Sequence, residues 1–199
     1  ALRMSGLPFA VERIPLYRDD SKARILAHSA AGLVPVLHDG ATTVWESLAI
    51  CEHVAELAPR AGLWPDDRAT RALARAVATE MHGGFSAIRA TLPMNFRARA
   101  ERTPSLSDAV RAQIARVEAL WTACRQRHGA SGPFLFGRFT IADAMYAPVV
   151  SRFRTYAVSL GPVAQGYADA VWAMDAMREW GAEAGKETER IEATDRALA

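Results

Sequence analysis

The chain has 199 residues, half of them apolar and 23% charged, with 24 Lys and Arg against 22 Asp and Glu for a net charge of +2. That balance is ordinary for one large or two small globular domains, and it lacks the basic excess of a nucleic-acid-binding protein. No apolar run approaches the roughly 20 residues of a membrane helix, and no charged-then-apolar leader opens the chain, so neither a membrane span nor a secretory signal is expected.

The opening residues Ala1, Leu2, Arg3 and Met4 carry no capping side chain, and Gly6 reads as a helix C-terminal stop. The chain is therefore expected to begin near the end of a helix that starts upstream. Residues 9–14 alternate at period two and predict a strand. Residues 21–31 read as a short helix or turn. Two strands follow, at 34–37 and 42–45, joined across His38, Asp39, Gly40 and Ala41, where the Asp-Gly pair is a hairpin signal. Residues 47–57 predict an amphipathic helix with Ile50, Val54 and Leu57 on one stripe, flanked by Cys51, Ala55 and Ala58 and stopped by Pro59. Residues 61–67 contain Gly, Pro and two acids and read as a linker.

Everything after Pro65 is expected to be helical. Residues 68–89 place Leu73, Val77, Met81, Gly84 and Ile88 on one face. Residues 108–126 place Val110, Ile114, Val117, Trp121 and Cys124 at alternating steps of four and three. A third helix begins at Thr140, where Asp143 three residues on can reach back to the cap nitrogen. Pro162 suits a helix's first turn, and the periodicity then runs to Trp180. Residues 186–199 are polar and expected to fray. A small α/β piece followed by an all-helical piece predicts two domains, 1–60 and 66–199.

Two cysteines far apart, Cys51 and Cys124, make no disulfide framework, and each sits on an apolar helical face as a small hydrophobe would. The five histidines have no ligand-like spacing, so no metal is expected.

The chemistry concentrates at two places. Pro35 has no N–H and is tolerated at a strand's start. A cis Val34-Pro35 bond would turn the Val34 backbone outward, where its N–H and C=O could pair with an extended peptide. At the helix start that follows, Ser47 offers a hydroxyl and orphan N–H groups to a carboxylate, while Glu46 can pair with an ammonium. Together they suit an α-amino acid head group. Taken singly, each motif is equally a strand start or a helix cap.

Gly32-Leu33-Val34-Pro35-Val36-Leu37, a short hairpin, then Glu46-Ser47-Leu48-Ala49-Ile50, resembles the glutathione site of soluble glutathione transferases. Phe139-Thr140-Ile141-Ala142-Asp143-Ala144 is similar to the helix-capping box of their helical domain. Gly83-Gly84-Phe85 and Leu92-Pro93-Met94-Asn95 look like a bacterial zeta- or theta-like branch. The resemblance implies an α+β two-domain protein. A thioredoxin-like N-terminal domain, its first strand missing from this chain, would precede an all-helical C-terminal domain. It implies glutathione as co-substrate, no metal, a small electrophilic substrate, a cytoplasmic homodimer, and contact with neither nucleic acid nor membrane. Val34 would pair its backbone with the cysteinyl part of glutathione. Glu46 and Ser47 would hold the γ-glutamyl head, and Glu80 would approach its amine from the other subunit. Leu33 stands where many members carry Gln or Lys.

The reactive hydroxyl or thiol of such proteins follows the first strand. It is therefore expected upstream of residue 1, within some two dozen residues. Its identity separates addition to an electrophile from disulfide reduction. A zeta-like cis-trans isomerase and a non-catalytic protein-interaction module are the remaining alternatives. The electrophile would meet Met81, Phe85, Met94, Asn95 or Phe96, although such residues at helical spacing are more often core. Arg89, Arg97, Arg99 and Arg102 give that region a basic bias suited to an anionic substrate such as a dicarboxylate.

Overall fold

A short hairpin and the helix lying on it organise the N-terminal part of the molecule. The computed structural model describes residues 1–196, which fall into two compact units, Ala1–Leu63 and a second that begins at Trp64. The first is α+β and thioredoxin-like, the second all-helical.

In the first unit, α1 (Leu2–Ser5) ends at Gly6 with φ 74, a left-handed geometry that glycine adopts without a Cβ penalty. Helix α2 spans Ser21–His28. Strands β1 (Val36–Asp39) and β2 (Thr42–Trp45) pair antiparallel, from Val36 opposite Trp45 to Asp39 opposite Thr42. The loop is thus Gly40-Ala41. Asp39 closes the strand, and Gly40 takes the position that needs positive φ (57°). Helix α3 (Ser47–Leu57) packs on both strands with Ile50, Cys51 and Val54 buried.

Three sequence expectations fail here. The first strand, expected over 34–37, runs over Val36–Asp39, so Val34 and Pro35 precede it and do not open it. Residues 9–14 form no strand, and Val11 is 76% exposed. Alternation makes a strand only where a neighbour completes the ladder, and no described residue pairs with this segment. Leu57 does not complete the apolar stripe but is 45% exposed.

In the second unit, α4 (Arg68–Gly83) packs on α7 (Ile141–Thr155), and α6 (Asp108–His128) packs on α8 (Pro162–Trp172). All five residues of the α6 stripe are buried, with Trp121 fully enclosed against Tyr146, Phe153 and Tyr167. The expected single helix over 68–89 is broken: Ser86–Thr91 forms a separate α5. A Cβ on Gly84 would lie 2.5 Å from the Glu80 carbonyl oxygen, and Phe85 sits at φ 58. The Arg89 guanidinium turns back to donate to the carbonyls of Met81 (2.7 Å), His82 (3.1 Å) and Gly84 (3.2 Å), satisfying the end of α4. Leu73 is exposed, and the neighbouring Ala74 is buried instead.

A second break divides the predicted 163–180 helix into α8 and α9 (Asp175–Lys186). Met174 is extended there, and Asp175 opens the new helix with an acid in its first turn, paired to Arg178. Part of the polar tail is held rather than frayed. Arg97 donates to the Glu187 and Glu189 carbonyls, and Asn95 Nδ2 donates to Oδ1 of Asp195, on α10 (Glu192–Arg196), at 3.0 Å. Residues 197–199 lie outside the described residues. No described helix is long and apolar enough to cross a membrane.

The capping box forms as the sequence predicts. Thr140 N–H donates to Asp143 Oδ2 at 2.8 Å, and its hydroxyl lies 3.0 Å from the same oxygen. Asp143 Oδ1 also accepts the Leu135 N–H at 3.0 Å, which ties the preceding loop to the start of α7. Burial pushes the Asp143 carboxyl up to about 6, against these bonds, which pull it down.

Candidate functional site

The hairpin register brings three of the four candidate residues together. Val36 faces Trp45, so Val34, two residues before Val36, and Glu46-Ser47, directly after Trp45, lie at the same end of the sheet. The Val34-Pro35 bond is cis, and Val34 is 48% exposed. Leu33 and Trp45 are exposed at the same end, giving the site apolar surroundings.

Glu46 is the N-cap residue of α3, and its carbonyl accepts the Ile50 N–H at 2.9 Å. Its backbone sits at φ 70, ψ 125, a region costly for a side chain with a Cβ. Such strain persists where the surroundings over-determine it, and here the chain must pass directly from β2 into α3. Ser47 is therefore the first helical residue rather than the cap. It lies among the backbone N–H groups at the positive end of the α3 dipole, where an anion is favoured.

Glu80 belongs to the other unit. It lies on α4 and forms a two-pronged ion pair with Arg116 of α6, at 2.7 and 2.8 Å. The guanidinium holds its carboxyl below the usual range, so it is ionised at neutral pH. Met81 and Phe85 are core side chains. Asn95 and Phe96 are half-buried in contacts of their own unit. The Asn95 carbonyl accepts the Thr155 hydroxyl at 2.8 Å, and Phe96 stacks on Trp172.

Both cysteines are buried and free. Burial, with the Asp143 carboxylate nearby, pushes the Cys124 thiol up to about 11, and burial raises Cys51 as well. A thiol-disulfide reagent at pH 7.5 is therefore expected to titrate neither cysteine in the native protein and both in denaturant. Fast reaction of a native thiol would overturn the structural reading. Among the described residues no group of three or more His, Cys, Asp or Glu could hold a metal ion.

Residues 1–57 match the family described as "Glutathione S-transferase, N-terminal domain", and residues 104–180 match "Glutathione S-transferase, C-terminal domain". The two matches together take up more than half of the chain, which belongs to the glutathione S-transferase family. No curated protein sequence matches it significantly. Among solved structures, a glutathione transferase homolog from Burkholderia GL BGR1 with bound glutathione is 23% identical. The alignment covers 94% of this chain and 88% of that one, with a TM-score of 0.67. Maleyl pyruvate isomerase, a bacterial glutathione S-transferase of the zeta class, is 24% identical over 95% and 92%, TM-score 0.68. A theta-class enzyme from Xanthomonas axonopodis pv. citri with glutathione bound is 22% identical over 89% and 86%, TM-score 0.63. At these identities the likeness is one of fold.

Proposed function

We propose that the protein is a glutathione transferase that binds glutathione at the hairpin end and presents its thiol to a small electrophile. The observation that carries this reading is the convergence of the Val34 backbone with the N-terminus of α3, in a chain of this family. Val34 offers its N–H and C=O to the cysteinyl backbone, in the manner of strand addition. Ser47 and the α3 N–H groups take the γ-glutamyl carboxylate, and Glu46 takes the ammonium. Glu80, kept ionised by Arg116, is the acid proposed to approach that ammonium across a homodimer. These residues bind and orient; the group that activates the thiol is not among them. The same reading places the protein in the cytoplasm and in the zeta- or theta-like branch. A glutathione-dependent cis-trans isomerase is the second reading, supported by the fold shared with maleyl pyruvate isomerase.

Calorimetric titration with glutathione tests the site. One-to-one binding is expected. Ser47→Ala should weaken it about tenfold or more, the worth of a hydrogen bond to a charged group. Because Ser47 is not the cap, the substitution should change stability by less than about 1 kcal/mol. Unchanged affinity would remove Ser47 from the site. A folded protein that binds no glutathione would turn the reading toward a protein-interaction module.

A further inference from the structure

Lys22 and Leu26 are one turn apart on α2, and both lie against Gly32. A Cβ on Gly32 would stand 2.5 Å from Lys22 Nζ and 3.1 Å from Leu26 Cδ2. Gly32 also has φ 61, so both its backbone and its surroundings call for glycine. The turn that carries it is fixed locally. The Gly32 N–H donates to the Ser29 carbonyl at 3.0 Å, and the Ala31 N–H donates to the Ser29 hydroxyl at 3.2 Å. Lys22 Nζ in turn donates to the Gly32 carbonyl at 3.1 Å. An ammonium is thus held on the chain two residues before Val34, whose bond to Pro35 is cis.

That ammonium has donors to spare. A lysine carries three, and Gly32 takes one. Lys22 is exposed, and among the described residues no carboxylate meets it. Glutathione, for its part, carries two carboxylates and one ammonium. Ser47, the α3 N–H groups and Glu46 answer its head group, on the hairpin side of Val34. With the cysteinyl unit paired to Val34, the C-terminal residue leaves on the other side, past Leu33 toward Gly32. Leu33 is 58% exposed and offers a charge nothing. Two residues of extended chain span at most about 7 Å. A carboxylate one residue beyond the cysteinyl unit therefore comes within reach of an ammonium on a flexible four-carbon stem.

We propose that Lys22 binds the C-terminal carboxylate of the thiol peptide, so that the site selects γ-glutamyl-cysteinyl peptides with a free carboxylate one residue past the cysteine. This assignment rests on the glutathione site proposed above and adds a second charged anchor, on α2, to the one at α3. Held at both ends, the peptide has its thiol fixed between them.

Calorimetric titration of the full chain with glutathione and with its glycyl monoethyl ester, at low and high salt, tests the assignment. The ester is expected to bind about five- to tenfold more weakly, the worth of a charge-assisted hydrogen bond still touched by solvent. The gap should narrow as salt rises. Lys22→Met keeps the apolar stem and should bring glutathione down to the affinity of the ester, with ester binding little changed. Equal affinity of the wild type for both ligands would overturn the role of Lys22 and leave the glutathione site standing. Equal weakening of both ligands by Lys22→Met would also overturn it, and would make Lys22 a support of the Gly32 turn. Binding of neither ligand by the folded protein would remove the glutathione reading and the role of Lys22 with it.

Discussion

Asp143→Ala is expected to destabilise the second unit by about 4 kcal/mol at pH 7. The carboxylate accepts from Leu135 N, Thr140 N and the Thr140 hydroxyl, and both donor residues are fully enclosed. Each buried donor left without a partner costs about 1–3 kcal/mol. Against that stands the relief of removing a buried charge. The carboxyl is raised from 3.8 to about 6, and a shift of that size is worth on the order of 3 kcal/mol. In the alanine variant the cost of the orphaned donors is the larger of the two, because water cannot reach them once the carboxyl is gone. Urea unfolding of wild type and variant measures the difference, and glutathione affinity in the folded variant should be nearly unchanged. Loss of glutathione binding in a fully folded Asp143→Ala protein would show that the box does more than hold α7.

The same residue gives a pH dependence of definite sign. Its folded pKa lies above the unfolded one, so the native state holds the proton more tightly. This contribution is fully present below about pH 4 and is lost as pH rises through about 6. The stability gap between wild type and Asp143→Asn should therefore shrink as pH is raised from 4.5 to 7. A gap that widened would mean that the hydrogen bonds to the ionised form outweigh its desolvation.

Trp121→Ala should cost about 3–5 kcal/mol, the range for deleting an enclosed aromatic ring. The indole meets Tyr167 edge-on at 4.8 Å, Tyr146 at 5.6 Å and Phe153 at 5.8 Å, joining α6, α7 and α8. The cavity would lie where three helices are each held by other contacts, so it could not close by a small shift of one of them. Trp121→Phe keeps a ring in contact and should cost about half as much. Thermal unfolding of the two variants separates cavity cost from general disturbance. Equal effects would place the energy outside ring packing.

What was legible in the sequence was what repeats or caps locally. The stripe from Val110 to Cys124 is a 3.6-residue period, so a helix was the only element that could bury all five side chains. Thr140 and Asp143 satisfy each other's end of a helix at fixed spacing, so their bond could be read from two letters. Val34, Glu46 and Ser47 stood out by their local chemistry and by resemblance to a family motif, and the short hairpin brings them to one end of the sheet.

The misses share a cause. The period over 68–89 passes through Gly84 without faltering, yet α4 stops there because Arg89 comes back to close its carbonyls, an interaction across eight residues. The first-turn acid Asp175 was the available signal for the α8–α9 break, but no glycine or proline marks it. Arg97 and Arg99 read as a basic bias. Only the folded chain shows that Arg97 spends its donors on the tail while Arg99 joins Arg154 over one indole.

By itself the sequence determined the elements whose partners lie within a turn or a hairpin: the α3 start, the β1–β2 pairing, the α6 stripe and the capping box. Their energies are local, so their spacing specifies them. Tertiary structure decided what depends on distant neighbours. It left residues 9–14 without a ladder, left Leu57 exposed, split two continuous apolar periods into four helices, and brought Arg99 and Arg154 together over the Trp172 ring. Burial and charge pairing are properties of the packed chain, and no spacing within a single element contains them.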